Sequence, residues 1–274
     1  MVLGGRTLVM GVLNVTPDSF SDGGRFVDPE AAVAGGLALF EAGADLVDVG
    51  GESTRPGGAA RVDAAEESRR VVPVVRGLRR AGAGPISVDT TKAAVARAAL
   101  DAGADLVNDV SGFRFDAALA PLLAERGVPV VVMHLRGEFE AMHREPHYSD
   151  VMGEVAAELE AALRRGEDGG VPRERMIVDP GIGFAKSAGH SLEVLRRLPE
   201  LRRLDRPVLV GPSRKSFIGK VLDRPVGDRL FGTAAAVAAA VLGGAHLVRV
   251  HDVAEMVQVV RVCDAIRDDG GGAP

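Results

Sequence analysis

The stretch AGADLVDV at residues 42–49 recurs almost unchanged as AGADLVNDV at residues 102–110, and GGAHLVRVHD at residues 243–252 is a looser third copy. Each copy has the pattern of a helix end, a glycine that caps the helix, and a short apolar strand. That order is typical of the connection at the bottom of a βα unit. The repeat therefore indicates a chain in which strands alternate with helices.

Short β-type runs occur from one end of the chain to the other, and each is followed by a candidate helix. The eight runs are residues 8–14, 45–50, 85–90, 105–110, 128–134, 176–180, 207–211 and 246–251. This alternation predicts parallel strands with crossover helices, and the count of eight favours a closed TIM (β/α)8 barrel over an open doubly wound sheet. We therefore predict an α/β fold with residues 1–274 in a single domain and a frayed tail at about 267–274.

The bulk composition argues against several classes of protein. A net charge of −5 argues against a nucleic-acid-binding surface. The longest weakly apolar stretch, at residues 233–245, is too short and too rich in alanine to span a bilayer, and the N-terminus lacks the features of a secretory signal peptide. The single cysteine, Cys263, excludes an internal disulfide framework and fits a reducing compartment, so we expect a cytoplasmic protein with an inert, packed thiol.

Arginine greatly outnumbers lysine among the basic residues. Lysine and arginine together total 33, and the lysines are Lys92, Lys186, Lys215 and Lys220. A lysine that persists despite this bias is a candidate for a site that arginine cannot fill. Lys215 has the strongest case, because a compact ammonium enters spaces that a planar guanidinium does not. For Lys220 we favour the explanation that a lysine is present by neutral drift, without a special requirement at that position.

Polar side chains stand at or just beyond the end of nearly every β run. They are Asn14, the residues from Glu52 to Arg55, Asp89, Asn108, His134, Asp179, Lys215, Arg249 and His251. The C-terminal ends of barrel strands form the active face of TIM-barrel enzymes. Loops are solvated, so one or two polar strand ends would mean little. Amides or carboxylates at four strand ends, with cations at others, predict an active site.

The predicted site divides into two chemical groups. Carboxylate and amide groups come from Asp89, Asn108 and Asp179. Such a set suits a flat heterocycle with ring N–H, amino and carbonyl groups. Cationic donors come from Arg55, Lys215, Arg249 and His251. These suit an oxyanion such as diphosphate, and the last three follow strands 7 and 8, where TIM barrels often bind phosphate. His134 ends an apolar run, and we interpret it as a structural histidine.

Six motifs carry a resemblance to a known family. They are GVLNVTPDSFSDGG (11–24), DVGGESTRPG (48–57), ISVDT (86–90), DPGIGFAK (179–186), SRKSFIG (213–219) and RVHDV (249–253). In order and spacing they resemble the dihydropteroate synthases over almost the whole chain, and the first two are highly specific. One departure is Ala185, where many members of the family carry glycine.

The resemblance implies a TIM-barrel transferase of folate biosynthesis, usually a homodimer, that uses Mg2+ and is the target of sulfonamides. Such enzymes condense a pterin diphosphate with 4-aminobenzoate to give 7,8-dihydropteroate and diphosphate. By the same resemblance, pterin diphosphate would be bound by Thr54, Asp89, Asn108, Asp179, Lys215, Arg249, Val250 and His251. The aminobenzoate side would consist of Thr54, Arg55, Pro56, Phe184 and Ser216. Asn14 would meet the magnesium, and Asp22 would lie in the first of two loops that close over the site.

Simple chemistry agrees with this reaction. Departure of diphosphate leaves a cation delocalised into the pterin ring, which Asp89 and Asp179 would stabilise before the aniline nitrogen attacks. Lys215, Arg249 and His251 would assist at the diphosphate, and the sequence offers no obvious covalent nucleophile. A pterin-dependent methyltransferase is the main alternative, but it should lack both long loops and work beside a corrinoid domain. A non-catalytic pterin-binding paralogue should have lost loop or diphosphate residues, which this chain retains.

Overall fold

The computed structural model describes residues 4–16, 28–53, 61–137 and 147–267. Its strands are β1 (Leu8–Asn14), β2 (Leu46–Gly50), β3 (Ile86–Asp89), β4 (Leu106–Asp109), β5 (Val130–Met133), β6 (Met176–Asp179), β7 (Leu209–Val210) and β8 (Leu247–Val250). The α-helices within these ranges are α1 (Pro29–Glu41), α2 (Ala64–Arg80), α3 (Ala93–Ala102), α4 (Leu119–Arg126), α5 (Val151–Asp168), α6 (Ala188–Arg196), α7 (Ser216–Leu222), α8 (Leu230–Leu242) and α9 (Val253–Arg267). Every predicted β run contains one of the strands.

The eight strands form one parallel sheet in the order β6-β5-β4-β3-β2-β1-β8-β7. A parallel bridge between Val178 of β6 and Val208, the residue before β7, joins the two ends of this order. The prediction of a TIM barrel is confirmed. A helix follows each strand, and the β7 to β8 connection contains both α7 and α8.

The side chains of the strands alternate between two apolar layers. An inner cluster fills the barrel and consists of Leu8, Met10, Leu46, Leu106, Val131, Ile177, Leu209 and Leu247. Residues between these, such as Val9, Val47 and Val107, belong to the larger cluster that includes the surrounding helices. This alternation follows from the two-residue period of a strand. It also fixes which strand residues point into the barrel above the inner cluster.

The glycine caps that were predicted from the internal repeat are present. Gly43 (φ 101°), Gly103 (φ 111°) and Gly244 (φ 99°) adopt the left-handed backbone that glycine tolerates best. Of the predicted frayed tail, Arg267 is the last residue of α9 and pairs with Asp264 at 2.9 Å, and residues 268–274 lie outside the described residues. Among the helices of the described ranges, none has the length and apolar character needed to cross a membrane.

Candidate active site

The site lies one layer above the inner cluster, at the C-terminal ends of the strands. Because side chains alternate along a strand, the residue two positions after an inner residue also points into the barrel. This rule gives the pairs Leu46 and Asp48, Leu106 and Asn108, Val131 and Met133, Ile177 and Asp179, and Leu247 and Arg249. The barrel interior therefore changes from an apolar layer to a predominantly polar one within one step along the strands.

Asp48 is the centre of a hydrogen-bonded network in this layer. Its carboxylate is completely buried, and Oδ2 accepts hydrogen bonds from Asn108 Nδ2 at 2.9 Å and from Arg249 Nε at 2.7 Å. The second guanidinium arm of Arg249 donates to Asp89 Oδ2 at 2.9 Å. Four strands are joined in this way, and Asp48 was not among the site residues predicted from the sequence. The missed signal was a carboxylate inside the apolar run LVDVG.

Arg249, which was predicted from the sequence to be a cationic donor to diphosphate, lies between two carboxylates, Asp48 and Asp89. Its contact with diphosphate stays a prediction. Burial raises the pKa of Asp89 to about 7, and the Asp48 charge adds to the rise while Arg249 opposes it. Arg249 thus balances two buried acids that would otherwise repel each other.

Asp179 and Lys215 form the second half of the site. Asp179 is buried, and its Oδ1 accepts a hydrogen bond from the Gly181 backbone N–H at 2.7 Å. Burial raises the pKa of Asp179 to about 6, and it lowers the pKa of Lys215 to about 8. Arg249 lowers the Lys215 value further, whereas Asp179 and Asp89 raise it. The four groups therefore act on one another electrostatically.

Phe184 lies directly beside the lysine. Lys215 Nζ is 3.8 Å from the centre of the Phe184 ring, a cation–π distance. Phe184 is buried in a small apolar cluster with Val110, Met133 and Leu135. The phenyl ring is thus packed against residues at the β4 and β5 ends and also contacts the Lys215 ammonium.

His251 and Val250 stand at the end of β8. Val250 is buried, and the imidazole of the half-buried His251 faces Ser213, with Nδ1 at 3.0 Å from Ser213 Oγ. The same oxygen accepts the His251 backbone N–H at 3.2 Å, so Ser213 holds both the backbone and the ring of this histidine. Ser213 is a second residue for which no separate role was predicted from the sequence.

The remaining predicted residues are placed as follows. Asn14 is half-buried at the end of β1, in register with Gly50, and lies on the same strand face as Met10. Ser216 is the exposed first residue of α7. Asp22, Thr54, Arg55 and Pro56 lie outside the described residues. His134 is buried between Glu158 and Lys186, which confirms the prediction of a structural histidine.

Comparisons with known proteins agree with this geometry. Residues 10–251 match the pterin binding enzyme family. The dihydropteroate synthase of Mycobacterium leprae is 50% identical over 264 residues, which cover 94% of this chain and 92% of the relative. The Xanthomonas albilineans dihydropteroate synthase structure with 4-aminobenzoic acid has a TM-score of 0.89 at 47% identity and covers 96% of this chain and 94% of its own.

A second Xanthomonas albilineans structure contains 7,8-dihydropteroate. It has a TM-score of 0.86 at 44% identity, over 96% of this chain and 95% of its own. The family match spans most of the barrel, and the M. leprae relative is matched over nearly its full length. The chain therefore belongs to the pterin-binding enzymes, and within them to the dihydropteroate synthase family.

Proposed function

We propose that the polar layer of the barrel binds (7,8-dihydropterin-6-yl)methyl diphosphate and transfers its pterinylmethyl group to 4-aminobenzoate. The products are 7,8-dihydropteroate and diphosphate. The observation that carries this proposal is the buried network of Asp48, Asn108, Asp89 and Arg249, with Asp179 and Lys215 beside it. The M. leprae and X. albilineans relatives carry the name of this activity, and one solved relative holds its product.

The ring of the pterin is the ligand that fits the acceptor groups. Asp179 can accept from a ring N–H and an amino group together once its carboxyl group is ionised. Asn108, held by Asp48, has its amide oxygen available for another ring donor. Val250 is buried, so we assign it a backbone contact only. Burial keeps these hydrogen bonds away from competing water, which strengthens them.

The diphosphate end lies toward β1, β7 and β8. His251 can donate a ring N–H to a phosphate oxygen, and Lys215 and Arg249 supply positive charge nearby. Arg55 and Thr54 are assigned to this side and to the aminobenzoate from the sequence alone. Cationic donors stabilise the charge that develops on the leaving group, and this lowers the barrier to its departure.

We further propose a magnesium ion with the diphosphate. Magnesium bound to substrate phosphates commonly takes only one or two protein oxygen ligands. The amide oxygen of Asn14 fits this requirement, because it is a hard, neutral ligand at the end of β1. When bound, the ion would neutralise charge on the leaving group. Within the described ranges, no group of three or more histidine, cysteine, aspartate or glutamate side chains is arranged to hold a metal.

The chemistry needs no covalent enzyme intermediate. The bond between the pterin methylene carbon and the diphosphate oxygen breaks with its electron pair on oxygen, and the aniline nitrogen then forms the new bond to carbon. The nitrogen loses one proton to solvent. Asp89 and Asp179, when ionised, stabilise the positive charge that is spread over the ring between the two steps. Cys263 is buried in α9, away from the strand ends that form the site.

The aminobenzoate is assigned to the side of the site that holds Phe184 and Ser216. The Phe184 ring offers an apolar face, and the exposed Ser216 hydroxyl can donate to the carboxylate. Thr54, Arg55, Pro56 and Asp22 complete this side in the sequence-based prediction. If closure of the two loops completes the aminobenzoate pocket, the affinity for 4-aminobenzoate must depend on the ligands that favour closure, namely pyrophosphate and Mg2+.

Pyrophosphate release tests the proposed function. Incubation of the chain with pterin diphosphate, 4-aminobenzoate and Mg2+ should release pyrophosphate and form dihydropteroate, and omission of 4-aminobenzoate should stop product formation. In a binding experiment, 4-aminobenzoate should bind weakly alone and more tightly when pyrophosphate and Mg2+ are present. Equal affinity in both conditions would contradict loop-dependent binding, and no turnover would contradict the function itself.

We propose a homodimer that forms through the outer face of α6, α7 and α8. These helices surround an apolar cavity of about 370 Å3 whose lining includes Leu192, Val221 and Leu222. Their side chains are 44%, 61% and 43% exposed, an unusual apolar grouping for a surface that stays in water. We assign this face to a second copy of the chain, because the family resemblance implies a homodimer.

The oligomeric state can be measured by light scattering after size-exclusion chromatography. Val221→Glu should convert a dimer into a monomer, because it places a charge in the apolar face. Val262→Glu is the matched control, since Val262 is also 61% exposed but lies on α9. A monomeric wild type would contradict the proposal, as would equal behaviour of the two variants.

We also assign the chain to the cytoplasm. The support is its one cysteine, which is buried and so fits a protein that does not depend on disulfides. Fractionation of cells that express a tagged chain would test this assignment.

A further inference from the structure

Lys186 is a buried basic residue that the proposed reaction does not yet use. Burial lowers its pKa to about 7, and the charges of Asp179 and Glu158 oppose this fall. Its residue is only 7% exposed, and its ammonium lies 2.8 Å from His134 Nδ1, 3.2 Å from the Gly181 carbonyl oxygen and 3.2 Å from the Phe184 carbonyl oxygen. In its protonated form the amino group has three hydrogens to donate, and these three acceptors match that number. The protonated Lys186 therefore donates all of its hydrogens to groups of the protein.

Two of the three acceptors belong to the turn that follows β6. The turn from Gly181 to Phe184 begins with the backbone N–H that holds Asp179 Oδ1 at 2.7 Å. It ends with the Phe184 ring, which lies 3.8 Å from Lys215 Nζ. Lys186 bonds the first and last residues of this turn, so it fixes the geometry of both ends.

The turn is also packed tightly against β5. Gly181 has a left-handed backbone (φ 68°), and a Cβ atom there would lie 2.1 Å from the His134 carbonyl oxygen. The turn therefore has little room to shift toward the barrel. Movement away from the barrel is opposed by the Lys186 hydrogen bonds and by Tyr148, whose hydroxyl donates to the Ala185 carbonyl oxygen at 2.9 Å.

His134 presents its lone pair to Lys186 because of a carboxylate on its other side. His134 Nε2 is 3.1 Å from Glu158 Oε2, and Arg136 also pairs with Glu158. Burial lowers the pKa of His134 to about 4, so the ring is neutral near pH 7. The neutral ring donates from Nε2 to Glu158 and accepts at Nδ1 from Lys186. Glu158 thus orients the His134 ring, and His134 in turn orients the Lys186 side chain.

We propose that Lys186 is a positioning residue of the transferase, acting through the Gly181–Phe184 turn to hold Asp179 against the pterin ring and Phe184 beside the aminobenzoate. This inference rests on the proposed function of the site. Lys186 contacts neither of the reacting atoms in this account. Its effect is on where two substrate-binding groups stand, and the relay from Glu158 through His134 sets its own position.

The identity of the residue supports this role. Arginine accounts for all but four of the 33 basic residues, and Lys186 is one of the exceptions. Three acceptors that converge on one nitrogen suit a compact ammonium, whereas a guanidinium spreads its donors in a plane and needs more space. Most positions that require only positive charge are filled by arginine in this chain, so the lysine at 186 fits a site that arginine does not fill.

Steady-state kinetics on Lys186→Met, Lys186→Arg and the exposed control Lys220→Met test the inference. Both Lys186 variants should raise the KM for 4-aminobenzoate and the Kd for the pterin substrate by about 10-fold, with kcat within about 3-fold of wild type, because positioning of bound groups is lost. Lys220→Met should match wild type in all three. Thermal denaturation, recorded on every variant, identifies any loss of folded protein.

A purely structural role would lower the melting temperature and the active fraction but leave KM and Kd unchanged, and that result overturns the proposal. Full rescue by Lys186→Arg would also overturn it. If Lys186→Met does not fold, Glu158→Gln is decisive. The Glu158 side chain is 40% exposed, so its replacement should be tolerated, and KM should rise about 3-fold at unchanged kcat. An unchanged KM there would overturn the relay. Absence of turnover in the wild type would instead refute the proposed function.

Discussion

Asp48→Asn is the substitution that tests the buried network most directly. Asp48 is fully buried, and one of its oxygens accepts from both Asn108 and Arg249. An asparagine of the same shape keeps an oxygen at that position but loses the charge. It also places an amide N–H2 where the buried Oδ1 now lies, an atom that has no hydrogen-bond partner among the described residues. The substitution therefore weakens two hydrogen bonds and puts a buried donor where the structure shows no hydrogen bond.

The expected loss of stability follows from these contacts. Hydrogen bonds to a charged group contribute about 1 kcal/mol more than neutral ones, and a buried unsatisfied donor costs about 1–3 kcal/mol. Relief of the repulsion between Asp48 and Asp89 offsets part of this. We expect a net loss of about 2–3 kcal/mol in the free energy of unfolding, or about 4–12 °C in melting temperature for a chain of this size. Asp101→Asn, in a pair whose carboxylate is 56% exposed, should change stability by less than about 0.5 kcal/mol.

The same substitution should change catalysis in a recognisable way. The Asp48 charge contributes to the raised pKa of Asp89, so its removal should move the ascending limb of the pH profile of kcat/KM to lower pH. Urea denaturation and pH-dependent kinetics on the two variants provide the data. If Asp48→Asn and Asp101→Asn are equally stable and the acidic limb does not move, the network does not have the role assigned to it.

Four further predictions follow from the site. Lys215→Arg should lower kcat/KM by about 100-fold, equivalent to about 2.7 kcal/mol, because the larger guanidinium does not fit beside the Phe184 ring. Lys220→Arg, on the exposed side of α7, should leave kcat/KM unchanged, and near-native kcat/KM for Lys215→Arg would mean that only the charge matters at position 215. Asp179→Asn should weaken pterin binding by at least about 10-fold, since leaving a buried polar group unpaired costs about 1–3 kcal/mol; calorimetric titration decides this, and unchanged affinity removes Asp179 from the ring site. For the wild type, kcat/KM should rise as pH increases from about 6 to about 7, where Asp179 and then Asp89 lose their protons, and fall above about 8, where Lys215 loses its own. A flat profile between pH 5 and about 9 would contradict these assignments. Ala185→Gly should increase the free energy of unfolding by about 0.5–1 kcal/mol, because Ala185 has φ 45° and an L side chain is strained there; equal denaturation midpoints for the two proteins would show that the turn carries no such strain.

The architecture could be predicted from local patterns alone. Each strand is a short apolar run, each bottom connection repeats a glycine cap, and both features depend only on residues that are close in sequence. The strand-end positions of Asn108, Asp179 and Arg249 followed from the same patterns. Their shared inward face could also have been predicted, because each lies two residues after a residue of the inner cluster.

The pairing between these side chains could not be predicted in the same way. Arg249 and Asp48 are 201 residues apart and meet only because β8 and β2 both pair with β1. The sequence contains charges of both signs at the strand ends, but which cation faces which carboxylate depends on closure of the barrel. The role of Lys186 depends in the same way on contacts between the β5 and β6 ends.

The uneven placement of the lysines has a practical consequence for chemical modification. Lys92 is enclosed by Glu52 and Glu67, and Lys186 and Lys215 are enclosed by the barrel mouth, which leaves Lys220 as the exposed lysine of the chain. With the site occupied by pterin diphosphate, an acylating dye should therefore attach chiefly to Lys220, next to Val221 on α7, besides the terminal amine. The fluorophore would report on the apolar face of α6 to α8 without touching the site, and its emission should shift with protein concentration if two copies associate through that face.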